Sequence, residues 1–456
     1  MENYIYRTLF TFPQKDVLLW HLQEGSLERS FPQTEDVTIS TKSNSDANKI
    51  VWHFSIREFL FKHQWVLESN QSVERSALDL NMLKGPFNHF SLKVYVKRVG
   101  VNSCELVEEV CCKFKCSKWF HNFRAKILEK RLKRFFEYKH EVLSHDLLLF
   151  SKYPAILPQK ILIAGASGLV GKALVSFLKC AGHQVKTLVR NGQNIKDDQV
   201  CWNPETGEAE LSELEGFDSI VNLAGVNIAD KRWTQSVKHN IFSSRIFTTE
   251  RLVKLLASLA SPPQTLLCAS AVGYYGEHDS QEVAEECSQV GNSFLGETCK
   301  RWEQASKRIS ISGTRVVNLR FGTILSAKQG ALKQILKFFK LGCGAVIGSG
   351  KQYMSWIAID DTVAAIYHCM MKKEVVGPVN ISSPNAITNK DFSSQLSLRL
   401  NKPLGPRFSS PLVLFIYGQM GEELLLTSIR AVPAKLDQSG FVFRYPSLRQ
   451  ALRHII

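Results

Sequence analysis

The sequence predicts an α/β protein: a doubly wound parallel sheet with a small C-terminal lobe, preceded by an α+β module. Three observations carry that reading. From residue 160 onward, apolar strands alternate with helical stretches, the pattern of parallel strands joined by crossover helices. Before residue 150, short segments of alternating polarity follow one another and only then comes a long amphipathic helix. At 456 residues the chain also exceeds one ordinary core, so two or three domains are expected.

Taken in order, Tyr4–Phe12 reads as a strand, and Pro13 opens a short helical stretch over Asp16–Leu22. Alternating segments follow at Val37–Thr41, Lys49–Ile56, Gln64–Glu68, Leu92–Val96 and Glu105–Phe114, which together read as antiparallel sheet. A long amphipathic helix then runs from Lys118 to roughly His140. A sheet wrapped around one terminal helix encloses an apolar interior suited to a small hydrophobic ligand. Lys152–Pro158, with Pro154 and Pro158, reads as a linker.

The formal charge of +15 speaks to solubility and association rather than to fold. Its densest run, Arg124–Arg134, is interleaved with Ile127, Leu128 and Leu132 at helical spacing and reads as the wet face of a helix, so no nucleic acid is expected. The 11 cysteines show no paired metal-type spacing, so no metal site is expected. No apolar run is long enough to span a bilayer, and Met1–Arg7 lacks the marks of a leader, which points to the cytoplasm.

The second half is organised around Lys160–Gly171, an apolar strand running into a glycine-spaced turn and an amphipathic helix, Leu169 to about Cys180. Gly165 lets the chain turn off the strand, Gly168 leaves room for a pyrophosphate against backbone N–H groups, and Gly171 lets helix pack on sheet. With Ala166, Ser167, Leu169 and Val170 they read as a dinucleotide cradle at a helix N-terminus. A glycine turn with no ligand is the alternative. Roughly 20 residues on, where a carboxylate would read the ribose of NAD, the strand Gln184–Val189 ends in Arg190, which favours the 2′-phosphate of NADP. The alternative is an ordinary solvated arginine. The strand Asp218–Gly225 ends in small residues against which a nucleotide can lie, at Leu223 and Ala224. Asn240 to about Ala257 reads as a helix carrying Arg245, Thr265–Ser270 as a strand, and Thr314–Arg320 as another.

These residues resemble a family. The order Gly165-x-x-Gly168-x-x-Gly171, Asn222–Gly225, Tyr274-Tyr275-Gly276, Leu319–Gly322 and Trp356–Asp361 is similar to the extended short-chain dehydrogenase/reductases. Ala229–Thr234, Ser244-Arg245, Gly348–Tyr353 and Arg430–Leu436 with Gly440-Phe441 resemble an atypical branch of NAD(P)-dependent epimerase/dehydratase relatives labelled "epimerase family protein". The resemblance implies a Rossmann fold with NADP at the first turn, Arg245 close to the cofactor, and a C-terminal lobe over it. Gly25–Arg29, Lys84–Phe87, Phe136–His140 and His145-Asp146 resemble the START-like, polyketide cyclase/dehydrase-type helix-grip domain, which implies a hydrophobic ligand. The domains expected are therefore 1–150 START-like, 151–159 linker, 160–382 NADP-binding and 383–456 substrate lobe.

Such enzymes carry Tyr-x-x-x-Lys, in which the lysine lowers the tyrosine pKa for proton exchange with substrate. Here the pair is absent, and the family's alignment puts Leu295 and Cys299 in its places. Substitute groups are Ser270 as a hydroxyl donor, Tyr274 or Tyr275 as acid, and Cys299 as a thiol beside the nicotinamide. Each has a structural counterpart: Ser270 as a strand end, the tyrosines as pocket wall, Cys299 as a small core residue. The expectation is an NADP-dependent oxidoreductase for an apolar small molecule, a homodimer among its forms. A non-catalytic NADP-dependent sensor with a lipid-binding module is the rival.

Overall fold

The computed structural model describes residues 1–456 except 47–48, 59–60, 73–76, 116–117, 154–157 and 191–194. Part of the expected linker therefore lies outside the described residues. The chain divides into two compact units, Met1–Ala155 with Lys179–Gly182, and Ile156–Leu178 with His183–Ile456.

The first unit is an antiparallel sheet of β1 (Glu2–Phe10), β2 (Val37–Asp46), β3 (Lys49–Glu58), β4 (Phe61–Ser72), β5 (Ala77–Lys84), β6 (Phe87–Gly100) and β7 (Ser103–Phe114). Their order is β1-β7-β6-β5-β4-β3-β2, so β1 and β2 are the edges. Helices α1 (Gln14–Leu22) and α2 (Ser26–Ser30) lie between β1 and β2 in the chain, and α3 (Lys118–Phe150) follows β7. α3 runs about ten residues beyond its expected end, because Val142, Leu143 and Leu147 continue the buried stripe. Two buried ion pairs tie it down. Arg29 grips Asp146 with Nε and Nη2 at 2.6 and 2.7 Å, and the Trp20 indole donates to the same carboxylate at 3.2 Å. Glu108 accepts from Lys139 at 2.5 Å and lies 2.6 Å from His140 Nε2. Burial alone would raise its pKa, but Lys139 and His140 hold it down at about 2.

The second unit is built on β8 (Lys160–Ala164), α4 (Leu169–Cys180), β9 (Gln184–Arg190), β10 (Gln199–Trp202), α5 (Leu211–Leu214), β11 (Ser219–Asn222), α6 (Gln235–Ser243), α7 (Ile246–Ala257) and β12 (Thr265–Ala271). β13 (Glu282–Val283), α8 (Phe294–Lys307) and β14 (Arg315–Phe321) follow, and the strand Gly377–Ile381 closes the sheet. All its pairings are parallel, in the order β10-β9-β8-β11-β12-β14 and Gly377–Ile381. Ile161, Leu162, Ile163, Ile220, Val221, Leu266 and Leu267 are fully buried, as strands covered on both faces must be. Strand order reverses between β8 and β11, and the carboxyl ends there form the crevice in which open α/β sheets hold ligands.

The helix expected over Asn240–Ala257 is two helices, α6 and α7, separated at Ser244-Arg245. The break is held by Arg245 Nη1, which folds back to donate to the Ile241 carbonyl at 3.1 Å.

His183, at the start of β9, accepts from the Gln159 N–H at Nδ1, 3.0 Å, a bond that requires an unprotonated nitrogen. Burial pushes its pKa down to about 4, only partly offset by Asp218. The unfolded chain then takes up the proton first, so this stability is complete above pH ~6.5 and is lost as pH falls toward 4. Acid titration of urea midpoints should show a loss of about 2–3 kcal/mol between pH 7 and 4.5 that is missing in His183→Asn. Equal acid slopes in the two proteins would refute the assignment.

Candidate functional site

At the β8–α4 turn, Gly165 adopts φ +80°, and a Cβ there would stand 2.6 Å from the Leu223 carbonyl carbon and oxygen. Gly171 is equally confined, since its Cβ would meet Ala166 Cα at 2.6 Å. Leu223 N–H in turn donates to Ala164 at 2.9 Å, so the ends of β8 and β11 are fastened together. The cradle that side chains would fill is thus left as backbone, which fits a dinucleotide pyrophosphate at the N-terminus of α4. Ser167 and Gly168 are exposed there, Leu169 and Val170 half-buried, and Gly168 N–H turns back to Gly165 at 3.1 Å. Leu223 and Ala224 form the facing wall. Arg190 is exposed at the end of β9, beside β8.

On the other side of the crevice, the Arg245 guanidinium covers Gly225, lies 5.2 Å from the Trp302 ring centre, and donates to the Val226 carbonyl at 2.9 Å. These partners are neutral, and burial lowers its pKa to about 10, so it is charged at neutral pH. Asn222, fully buried at the end of β11, donates to Thr249 at 3.0 Å and accepts from the Ala224 N–H at 3.2 Å, which fixes the wall.

The ends of β12, β14 and Gly377–Ile381 carry one buried polar network. Ser270 Oγ donates to Glu303 Oε1 at 2.8 Å. Arg320 meets the same carboxylate through Nε at 2.8 Å and Nη2 at 3.0 Å, and its Nη1 donates to the Tyr275 hydroxyl at 2.9 Å. Tyr275 donates onward to Asn380 Oδ1 at 2.8 Å. Burial works against the Arg320 charge, yet Glu303 and Tyr275 raise its pKa above the ordinary arginine value. The Tyr275 pKa is pushed up to about 12, burial outweighing Arg320. Its hydroxyl is thus both donor and acceptor within the network. Tyr274 differs: it is half-buried, lies with its ring 3.6 Å from the Arg320 guanidinium carbon, and keeps its hydroxyl out of the network.

α8 carries the two positions left by the missing pair. Leu295 packs against Gly273 and joins an apolar cluster with Trp233, Ile241 and Met420. One turn on, Cys299 is 3% exposed, and burial pushes its thiol up to about 11 with Arg245 pulling the other way. That thiol is protonated at neutral pH and close to Ala271, Ser270 and Arg245. The start of α8 is capped from far along the chain, where Glu423 accepts from the Phe294 and Leu295 N–H groups at 3.1 and 2.9 Å.

Ser270, Cys299 and Arg245 thus converge at the carboxyl edge with the tyrosines, while the glycine turn, Leu223 and Ala224 form the neighbouring wall. Sequence reading did not single out Glu303, Arg320, Asn380 or Glu423 as site residues. Arg320 and Asn380 sit inside apolar strands, a signal open to a sequence reading, whereas Glu423 is marked by nothing local. Among the described residues no group of three metal-ligating side chains is gathered, and no helix is long and apolar enough to cross a membrane.

Comparison with known proteins bears on this crevice. Residues 161–382 match the NAD dependent epimerase/dehydratase family, and residues 409–455 match a domain of unknown function, DUF1731. An epimerase family protein of Mycobacterium bovis is 38% identical over 292 residues, covering 64% of this chain and 96% of that protein. The crystal structure of a nucleoside-diphosphate sugar epimerase from Corynebacterium glutamicum is similar at TM-score 0.80 and 26% identity, covering 99% of this chain and 90% of that one. The human epimerase family protein SDR39U1 (isoform 2), solved with NADPH, is similar at TM-score 0.60 and 29% identity over 65% of this chain and 98% of its own. With its glycine cradle at the reversal of a parallel sheet, the chain belongs to the NAD-dependent epimerase/dehydratase family.

Proposed function

We propose that this protein is an NADP-dependent oxidoreductase of the epimerase family that acts on a small apolar carbonyl or alcohol, with the first unit as a START-like module that binds or delivers the ligand. The observation that carries the cofactor reading is the cradle at Gly165 and Gly171 together with Arg190, in place of a carboxylate, at the end of β9. The human relative solved with NADPH supports the same choice. The cofactor, when bound, supplies or accepts hydride. The chain contributes the rest. Gly165–Gly171 hold the pyrophosphate, Arg190 the 2′-phosphate, and Arg245 places one uncompensated positive charge beside Gly225.

Leu295, half-buried against Gly273 in one of the two places left by the missing pair, offers an apolar wall, which favours an apolar substrate over a sugar. Of the candidate hydroxyls, that of Ser270 is committed to Glu303 and that of Tyr275 to Asn380. Tyr274 is left as the proton donor, its ring held 3.6 Å from the Arg320 guanidinium carbon. The same apolar wall favours the second reading, a sensor that binds NADP without turning it over.

Fluorescence titration of the purified chain should show preference for NADPH over NADH. Arg190→Ala should weaken NADPH about 10- to 100-fold, the worth of charge-assisted phosphate bonds, and leave NADH unchanged. Folded protein that binds neither nucleotide would sink the oxidoreductase reading. NADPH bound but never oxidised by any apolar carbonyl offered would favour the sensor.

A further inference from the structure

The basic run of α3 is used by nothing described so far. At 3.6 residues per turn, Phe123, Ile127, Lys130 and Arg134 fall at i, i+4, i+7 and i+11 and form one stripe. The opposite face carries Phe136, Lys139 and Leu143, all buried against the sheet. The stripe therefore points away from the module's own core. Phe123 is 66% and Ile127 43% exposed, two large apolar side chains that the fold leaves in water. Arg124, Lys126, Lys130, Lys133 and Arg134 surround them, all exposed, with Glu129 and Glu137 the acidic residues of this stretch.

An apolar pair ringed by cations on the outer side of a helix fits an anionic bilayer: the rings and branches enter the acyl boundary while the ammonium and guanidinium groups meet lipid phosphates. A nucleic acid would use the charges but gain nothing from an exposed Phe and Ile on the same stripe, which lack a base to read or stack in a duplex groove. We infer that the outer face of α3 from Phe123 to Arg134 is a docking surface for anionic lipid membranes. The inference does not depend on the cofactor site, since α3 lies wholly in the first unit. It gives the module a place from which to collect an apolar ligand.

The test is co-sedimentation of the full chain with vesicles of phosphatidylcholine, with and without about one-third phosphatidylserine. Binding is expected only to the anionic vesicles and should fall steeply with salt. Lys126→Glu with Lys130→Glu should cut it by at least about 25-fold, since each cation near such a surface contributes about fivefold. Phe123→Ser with Ile127→Ser should cut it about tenfold or more. All four side chains face solvent, and unchanged circular dichroism would confirm that the variants fold. No vesicle binding by the wild type overturns the inference. So does binding that survives Phe123→Ser with Ile127→Ser unchanged, or a preference for duplex RNA over anionic vesicles that the charge variant alone abolishes.

Discussion

Gly165→Ala is expected to weaken NADPH binding by at least about 100-fold in a chain that still folds. Two costs combine. Alanine at φ +80° sits in the left-handed region, worth about 1–2 kcal/mol of strain. Its methyl group would also stand 2.6 Å from the Leu223 carbonyl, a backbone group that cannot swing aside. Leu223 could retreat only by lengthening its 2.9 Å bond to Ala164, and that parts β8 from β11 at the very crevice the nucleotide enters. Gly171→Ala should act alike, by lifting α4 off Ala166 and displacing the N–H groups that would meet the pyrophosphate. Gly216→Ala is the matched control. Gly216 also has a positive φ, +76°, but nothing lies within 4 Å of its would-be Cβ, so only the strain should appear. Titration of NADPH against the three variants, with urea midpoints alongside, separates the two costs. Wild-type affinity in Gly165→Ala would mean that the nucleotide, if bound, lies elsewhere.

Arg320→Met should destabilise the second unit by about 3–5 kcal/mol, because it strands the Glu303 carboxylate in a site only 4% exposed. It also removes the donor to Tyr275 and the cation beneath Tyr274. The stability of an ordinary domain is about 5–15 kcal/mol, so the single variant will be near the edge of folding. The pair is therefore best measured as a cycle with Glu303→Gln and the double variant Glu303→Gln/Arg320→Met. Replacing both partners should recover a good part of the loss, a coupling of about 1–3 kcal/mol, since no uncompensated charge remains. Additive losses would show that the two side chains act separately. Urea unfolding must be followed with a probe in the second unit, because a chain of two compact units need not unfold in one step.

Much of the fold was legible locally. The run Lys160–Ala164, apolar without alternation and followed by glycines at 165, 168 and 171, reads as a buried parallel strand and a cradle because both signals are fixed within a dozen residues. The alternation in β7 likewise announces a strand with one buried face. What failed was local too. Helical periodicity ran straight through Ser244-Arg245, since nothing in the side chains there resists a helix. The break rests on where the guanidinium goes, which depends on carbonyls supplied by Ile241 and Val226.

The sequence by itself determined the strand and helix types, the glycine-spaced turn after β8, the basic stripe of α3 and the absence of a Tyr-x-x-x-Lys pair, all questions of residue type at fixed spacing. Only the tertiary structure decided which hydroxyls are free. Ser270, Glu303, Arg320 and Asn380 come from four separate elements and, with Tyr275 from the turn after β12, meet because parallel strands end on one edge. Glu423 reaches α8 from 128 and 129 residues away. Side-chain periodicity reports only which face of an element is buried. Which buried groups become partners is set by strand order and by the packing of distant segments, and no local pattern encodes that.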